Sequence, residues 1–206
     1  FVRPDVRREM LTMSVLIGFL SVTTAYFWWT QDWWHPQTLF GTRVGIEDFL
    51  IGFASGGVAS IVYEVVGGRR SVKIRSRMQH LSGFSILITL ALITWLFWGL
   101  GFHSFWAAVV AMLATASLMY AFRTDLIMNG VISGVLLAVA SLAFYGTIMV
   151  ISPGWIEASY DPQLSGIVPL GIPVEEYVFW FLAGLVFGPF YEYWRGERLR
   201  KVFRRA

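Results

Sequence analysis

Six times in 206 residues the chain runs for about twenty positions with scarcely a charge, and no other feature narrows its fold so far. The runs cover residues 10–29, 46–66, 81–100, 104–122, 128–151 and 174–194. About 20 helical residues cross ~30 Å of hydrocarbon, and in lipid only helices or closed barrels satisfy their own backbone polar groups. The connections are too short to hold a soluble domain. With 56% hydrophobic and 14% charged residues, the composition lies outside the soluble range. The expectation is an all-α integral membrane protein with six transmembrane helices, residues 1–206 forming a single bundle.

Charge orients the bundle. Place the N-terminus in the cytoplasm, and every basic residue except Arg43 falls on the inner side: Arg3, Arg7 and Arg8, then Arg69, Arg70, Lys73, Arg75 and Arg77, then Arg123, then the cluster from Arg195 to Arg205. Such asymmetry is the positive-inside pattern, and it puts both termini in the cytoplasm with 197–206 as a basic tail. It also explains the basic runs as topology and lipid-headgroup features, so no nucleic-acid partner is expected. The first run ends in an aromatic belt, Tyr26-Phe27-Trp28-Trp29, and lacks a small-residue cleavage pattern, so it reads as a span and not a signal peptide. Cysteine is absent, which excludes disulfides, thiolate metal sites and cysteine nucleophiles.

Within this frame one stretch occurs twice. Residues 44–68, VGIEDFLIGFASGGVASIVYEVVGG, align without gaps on residues 172–196. The register pairs Glu47 with Glu175, Asp48 with Glu176, Phe53 with Phe181, Gly56 with Gly184, Tyr63 with Tyr191 and Glu64 with Glu192. Matching acids, a glycine and an aromatic together exceeds what apolar composition supplies, so it reads as an internal duplication. Residues 10–66 form the first repeat, 81–122 an intervening helical hairpin and 128–196 the second repeat. Four spans apart, the two copies run parallel. Glycines spaced four apart, Gly52/Gly56 and Gly184/Gly188, suit close helix packing in lipid.

Each copy opens on paired carboxylates, Glu47/Asp48 and Glu175/Glu176, at the outer boundary. Acids in a first helical turn also complement the macrodipole. Yet membrane-embedded acids are costly, and a desolvated pair can hold a proton near neutral pH, which gives a group able to protonate a weak base. Glu64 and Glu192 lie at the opposite end among Arg69, Arg70, Arg195 and Arg198, where ion pairing is expected. Asp32, Glu157, Asp161, His35 and His103 share the outer boundary, but with no regular ligand spacing, so no metal is expected and the histidines read as interfacial hydrogen-bonding groups.

The segment Gly171-Ile172-Pro173-Val174-Glu175-Glu176-Tyr177-Val178-Phe179-Trp180, with its Trp/Tyr-rich lead-in from Trp155, resembles the Pro-x-Glu-Glu motif of the small membrane lycopene cyclases. Those are cofactor-independent carotenoid cyclases built from two related domains. The second copy matches the motif fully. The first reads Gly45-Ile46-Glu47-Asp48-Phe49, with no proline and with Asp as its second acid. The resemblance implies a redox-neutral cyclisation of the acyclic end of a long polyene, started by a proton, with no cofactor.

Such a reaction needs an acid, a base and aromatic faces for the cation. Glu175 is expected to protonate and Glu176 or Glu47 to accept, with Asp48 completing the second pair. Phe49, Phe53, Tyr177, Phe179, Trp180 and Phe181 are the candidate substrate-binding walls. A glycine fingerprint for a dinucleotide is not visible. The expected partners are the lipophilic polyene, membrane lipids, and a second copy of the chain or other carotenoid-pathway enzymes. A proton-coupled transporter or channel, and a non-catalytic carotenoid- or isoprenoid-binding protein, use the same features.

Overall fold

A computed structural model of the chain describes residues 3–73, 79–160 and 164–201. Asp161, Arg75, Arg77, Arg204 and Arg205, which the sequence reading placed at the boundaries, lie outside these residues. Among the described residues the chain is mostly helical, and four helices are long and apolar enough to cross a membrane: Val6–Asp32, Ile46–Val66, Ser104–Phe122 and Thr124–Ile151.

The first long helix is α1 (Pro4–Thr24), started by a proline in its first turn, where no intrahelical donor is required. It continues as a π-helical segment, Ala25–Trp29, and a last turn, Thr30–Asp32. The Thr30 hydroxyl donates to the carbonyl of Ala25, five residues back, at 2.7 Å. A π segment adds a residue to the turn and so re-aims the side chains beyond it, here a run of tryptophans. Helix α2 (Ile46–Val66) comes next, then strand β1 (Arg69–Lys73). Helix α3 (Gln79–Thr94) also ends in a π segment, Trp95–Gly99, and its apolar part, Gly83–Gly99, is shorter than the other spans. Helices α4 (Ser104–Phe122), α5 (Ile127–Ile151) and the short α6 (Trp155–Ser159) lead to α7 (Val174–Phe187), α8 (Phe190–Arg195) and strand β2 (Glu197–Lys201).

Two expectations change. The chain is not all-α: β1 and β2 pair antiparallel, Arg69 opposite Lys201 and Lys73 opposite Glu197, so residues 197–201 are a strand and not a plain tail. The 174–194 run is not one helix either. Gly188 and Pro189 break it into α7 and α8. Proline at 189 has no N–H to offer the carbonyl of Leu185. The Tyr120 hydroxyl on α4 takes that place, donating to the Leu185 carbonyl at 2.6 Å.

Packing pairs α1 with α2, α5 with α7, and α3 with α4. The glycine stripes are where the first two pairs touch. A methyl group at Gly56 would lie 2.5 Å from the Ile17 side chain and 2.9 Å from the Met13 carbonyl. One at Gly184 would lie 2.6 Å from the Gly134 Cα and the Ser133 carbonyl. Met13 on α1 thus corresponds to Ser133 on α5, an offset of 120 residues.

That register uncovers a likeness the sequence reading missed. Arg3-Pro4-Asp5 matches Arg123-Thr124-Asp125, and Val15, Leu16 and Ser21 match Val135, Leu136 and Ser141. The two arginines do the same work. Arg3 donates to the carbonyls of Glu64 (2.8 Å) and Arg69 (2.5 Å), and Arg123 to those of Glu192 (3.4 Å) and Glu197 (2.6 Å). Each reaches one carbonyl in the last turns of the helix that ends its own half and one in the strand that follows.

Candidate functional site

A cavity of about 160 Å³ lies near the ends of α2 and α7 that carry the paired acids, with walls from α1, α2, α3, α4, α5 and α7. Its lining is overwhelmingly apolar and aromatic, and two carboxylates face it, Asp48 and Glu176. Both are buried. They occupy equivalent positions in the two copies, so the duplication brings one acid from each half to a single chamber.

Within each pair the two acids do different things. Glu47 and Glu175 turn to the connections ahead of their helices: Glu47 Oε1 accepts the Leu39 N–H at 2.5 Å, and Glu175 Oε1 accepts the Ser165 N–H at 2.8 Å. Each holds its outer loop against the start of its helix, and neither lines the cavity. Successive residues on a helix point about 100° apart, so when the first acid faces the loop the second faces the bundle.

Around the two inward acids the copies differ. Glu176 Oε2 accepts hydrogen bonds from the Tyr145 hydroxyl and from Trp180 Nε1, the latter at 3.1 Å. The Tyr145 hydroxyl also meets that of Tyr160 at 2.8 Å. Asp48 Oδ2 accepts the Gly45 N–H, at 2.9 Å, as the reciprocal half of an N-terminal cap. In the first copy the counterpart of Tyr145 is Ala25 and that of Trp180 is Gly52. Smaller side chains beside Asp48 leave room, and Gly52 forms part of the cavity wall.

The remaining walls are rings. Trp33 packs edge-on against Phe105 (5.2 Å between centroids) and Phe179 (5.3 Å), and Trp29 against Phe179 (6.0 Å). Trp34 lies 4.7 Å from Tyr160. The π turn in α1 delivers Trp29 and Trp33 to this chamber. His103 ties the start of α4 to the end of the first long helix: its Nε2 lies 3.0 Å from the Asp32 carbonyl, and Asp32 Oδ2 accepts the Ser104 N–H at 2.9 Å.

Of the expected wall residues, Phe179 and Trp180 line the cavity. Tyr177 instead donates to the Pro169 carbonyl at 2.9 Å. Phe49 packs on Phe19 and Phe53 at 5.3 and 5.8 Å, on the α1–α2 side, and Phe181 packs on Gly134. Sequence reasoning missed Tyr145, Tyr160, Trp29, Trp33 and Trp34. A tyrosine hydroxyl inside an apolar span is the signal by which Tyr145 could have been found; Trp29 read as part of an interfacial belt, and Trp33 and Trp34 fell in the connection beyond it.

A second hollow of about 220 Å³ abuts the first and shares Ile51, Ser55, Phe144 and Trp180 with it. It runs between α2 and α5, and four of its wall residues, Ala54, Val58, Ala140 and Phe144, are exposed on the outside of the bundle. Both hollows are apolar, and the first holds two carboxylates among aromatic rings.

At the other end the described ion pairs include two made by arginines of the basic cluster. Arg198 Nε lies 3.4 Å from Asp125 and Arg195 Nε lies 3.8 Å from Glu197. Glu64 and Glu192 are buried beside Glu9 on α1.

A family model described as Lycopene cyclase matches residues 5–66 and 103–194, more than half of the chain. No curated protein and no solved structure matches it.

Proposed function

The chain belongs to the lycopene cyclase family, and from that premise we propose that it closes the acyclic end group of a long polyene by redox-neutral, proton-initiated cyclisation inside the membrane. The observation that carries this reading is the single aromatic chamber faced by one carboxylate from each copy, Asp48 and Glu176. About 150 Å³ is enough for a benzene-sized ring. The chamber therefore suits one end group, while the hollow between α2 and α5 suits the adjoining polyene chain, entering from lipid.

Glu176 donates the proton. Tyr145 and Trp180 both donate to its Oε2, which leaves Oε1 to carry the proton and stabilises the carboxylate left behind. The proton adds to the terminal double bond, and the neighbouring alkene attacks the resulting cation to close the ring. The ring cation then loses a proton to Asp48, so no atom is gained or lost overall. The faces of Trp29, Trp33 and Phe179 stabilise the cation along the way. Glu175 and Glu47, which hold loops, act by positioning. On this account the copies supply two halves of one site.

The topology that goes with this function has six spans and both termini in the cytoplasm of a multi-pass cell-membrane protein. Repeats 10–66 and 128–196 flank the hairpin 81–122, and the β1–β2 ribbon lies on the cytoplasmic side. Expression in a lycopene-accumulating bacterial host, followed by chromatography of the pigments, tests the activity. Monocyclic or bicyclic products are expected; unchanged lycopene beside well-inserted protein would count against a lycopene substrate. Membranes assayed in heavy water should give product one mass unit heavier per ring, because the added deuteron stays on the former terminal alkene; product of unchanged mass would exclude protonation as the first step.

A further inference from the structure

The cluster of Glu9, Glu64 and Glu192 sits at the end of the bundle opposite the chamber and has no part in the cyclisation. Each residue offers a carboxylate oxygen, and the three oxygens lie within 4.8 Å of one another. Glu9 is 3% exposed and Glu192 is 0% exposed. Among the described residues, Glu9 Oε1 and Glu192 Oε2 are buried with no hydrogen-bond partner. A buried carboxylate oxygen without a donor is expensive to maintain, and a cation held among the three carboxylates would offset that cost.

The duplication shows what is unusual here. In the second half, Asn129 Nδ2 donates to Glu192 Oε1 at 3.0 Å, and the Ser133 hydroxyl donates to Asn129 Oδ1 at 3.1 Å. Hydroxyl, amide and carboxylate are linked in one relay. The counterpart of Asn129 in the 120-residue register is Glu9, and that of Glu192 in the 128-residue register is Glu64. Where one half has an amide hydrogen-bonded to a carboxylate, the other sets a carboxylate beside a carboxylate.

We propose that Glu9, Glu64 and Glu192 bind a hard divalent cation that joins α1 and α2 of the first half to α8 of the second. The ligand set is oxygen only, without His or Cys, which suits Ca²⁺, Mg²⁺ or Mn²⁺ and disfavours zinc or copper. Metal–oxygen distances of about 2.1–2.5 Å put ligand oxygens roughly 3–5 Å apart, and the three oxygens here lie within 4.8 Å of one another. Arg3 and Arg123 bracket the cluster through the main-chain carbonyls of Glu64 and Glu192. The ion acts as a structural clamp, independent of the chemistry in the chamber.

The test uses detergent-purified full-length protein, stripped with a chelator and titrated with Mn²⁺, Ca²⁺ or Mg²⁺ alone, followed by intrinsic tryptophan fluorescence on heating and by metal analysis. One ion per chain is expected, with Tm raised by about 5–10 °C at a hundredfold excess over the dissociation constant. Glu9→Asn re-creates the amide–carboxylate pair of the second half. That variant should bind no ion, show no cation response, and be at least as stable as the stripped wild type. Glu192→Gln should likewise lose the response. Absence of bound metal in the wild type, with Tm indifferent to chelator and cation, would overturn the proposal and mean that protons neutralise the cluster. An undiminished cation response in folded Glu9→Asn would overturn it as well.

Discussion

At the scale of single residues, the two acids of each pair are distinguished by what surrounds them. Glu175 and Glu176 are adjacent and both buried, yet one accepts a loop N–H and the other accepts from a tyrosine and a tryptophan at the cavity. Tyr145→Phe should therefore slow ring formation by about ten- to a hundredfold, the effect of losing one donor to a charged group, with little change in protein level. Initial rates of pigment conversion in isolated membranes would check this; an unchanged rate would remove Tyr145 from the site. Glu175→Gln should still give cyclic product, with less folded protein, because it weakens the hold on the Ser165 loop. The acids and the second-copy motif were legible in the sequence, since carboxylates within apolar runs stand out. Their division of labour was not, because two neighbours on a helix differ only in direction. Phe49, Tyr177 and Phe181 read as walls for the same reason: all sit near the acids in sequence, but packing turns them to Phe19, to the Pro169 carbonyl and to Gly134.

At the scale of elements, glycine and proline decide how the helices meet. Gly184 lets α7 touch the backbone of α5, and Pro189 ends α7 and leaves the Leu185 carbonyl for Tyr120. Gly184→Ala should destabilise the bundle by about 1–3 kcal/mol, seen as a fall in Tm, because the new methyl meets backbone at 2.6 Å. Gly83→Ala, where a methyl meets nothing within 4 Å, should leave Tm unchanged or raise it. Tyr120→Phe leaves the Leu185 carbonyl without its donor in an apolar setting and should lower stability by about 1–3 kcal/mol on the same measurement. The close-packing role of the glycines was readable from their spacing. The π turn after Thr24, the break at Pro189 and the β1–β2 ribbon were not. A π turn carries no sequence mark of its own, the aromatic run past Pro189 keeps the look of a span, and the strands are short, charged and paired across the whole length of the chain.

At the scale of the whole molecule, a duplicated helical unit has become one asymmetric site. Residues that are large in the second half, Tyr145 and Trp180, are Ala25 and Gly52 in the first, so one half grips its acid while the other opens space beside its own. The 128-residue register was visible without a structure because acids mark it. The 120-residue register, which aligns α1 with α5, emerged only from the contacts that Met13 and Ser133 make with equivalent glycines. The central claim is that Glu176 is the proton donor of a single chamber. The most direct measurement is the pigment profile of a lycopene-accumulating host carrying Glu176→Gln, with the level of inserted protein matched to wild type. The account predicts that cyclic product falls by at least about a hundredfold, leaving lycopene. Cyclic carotenoid at the wild-type level in that variant would contradict it.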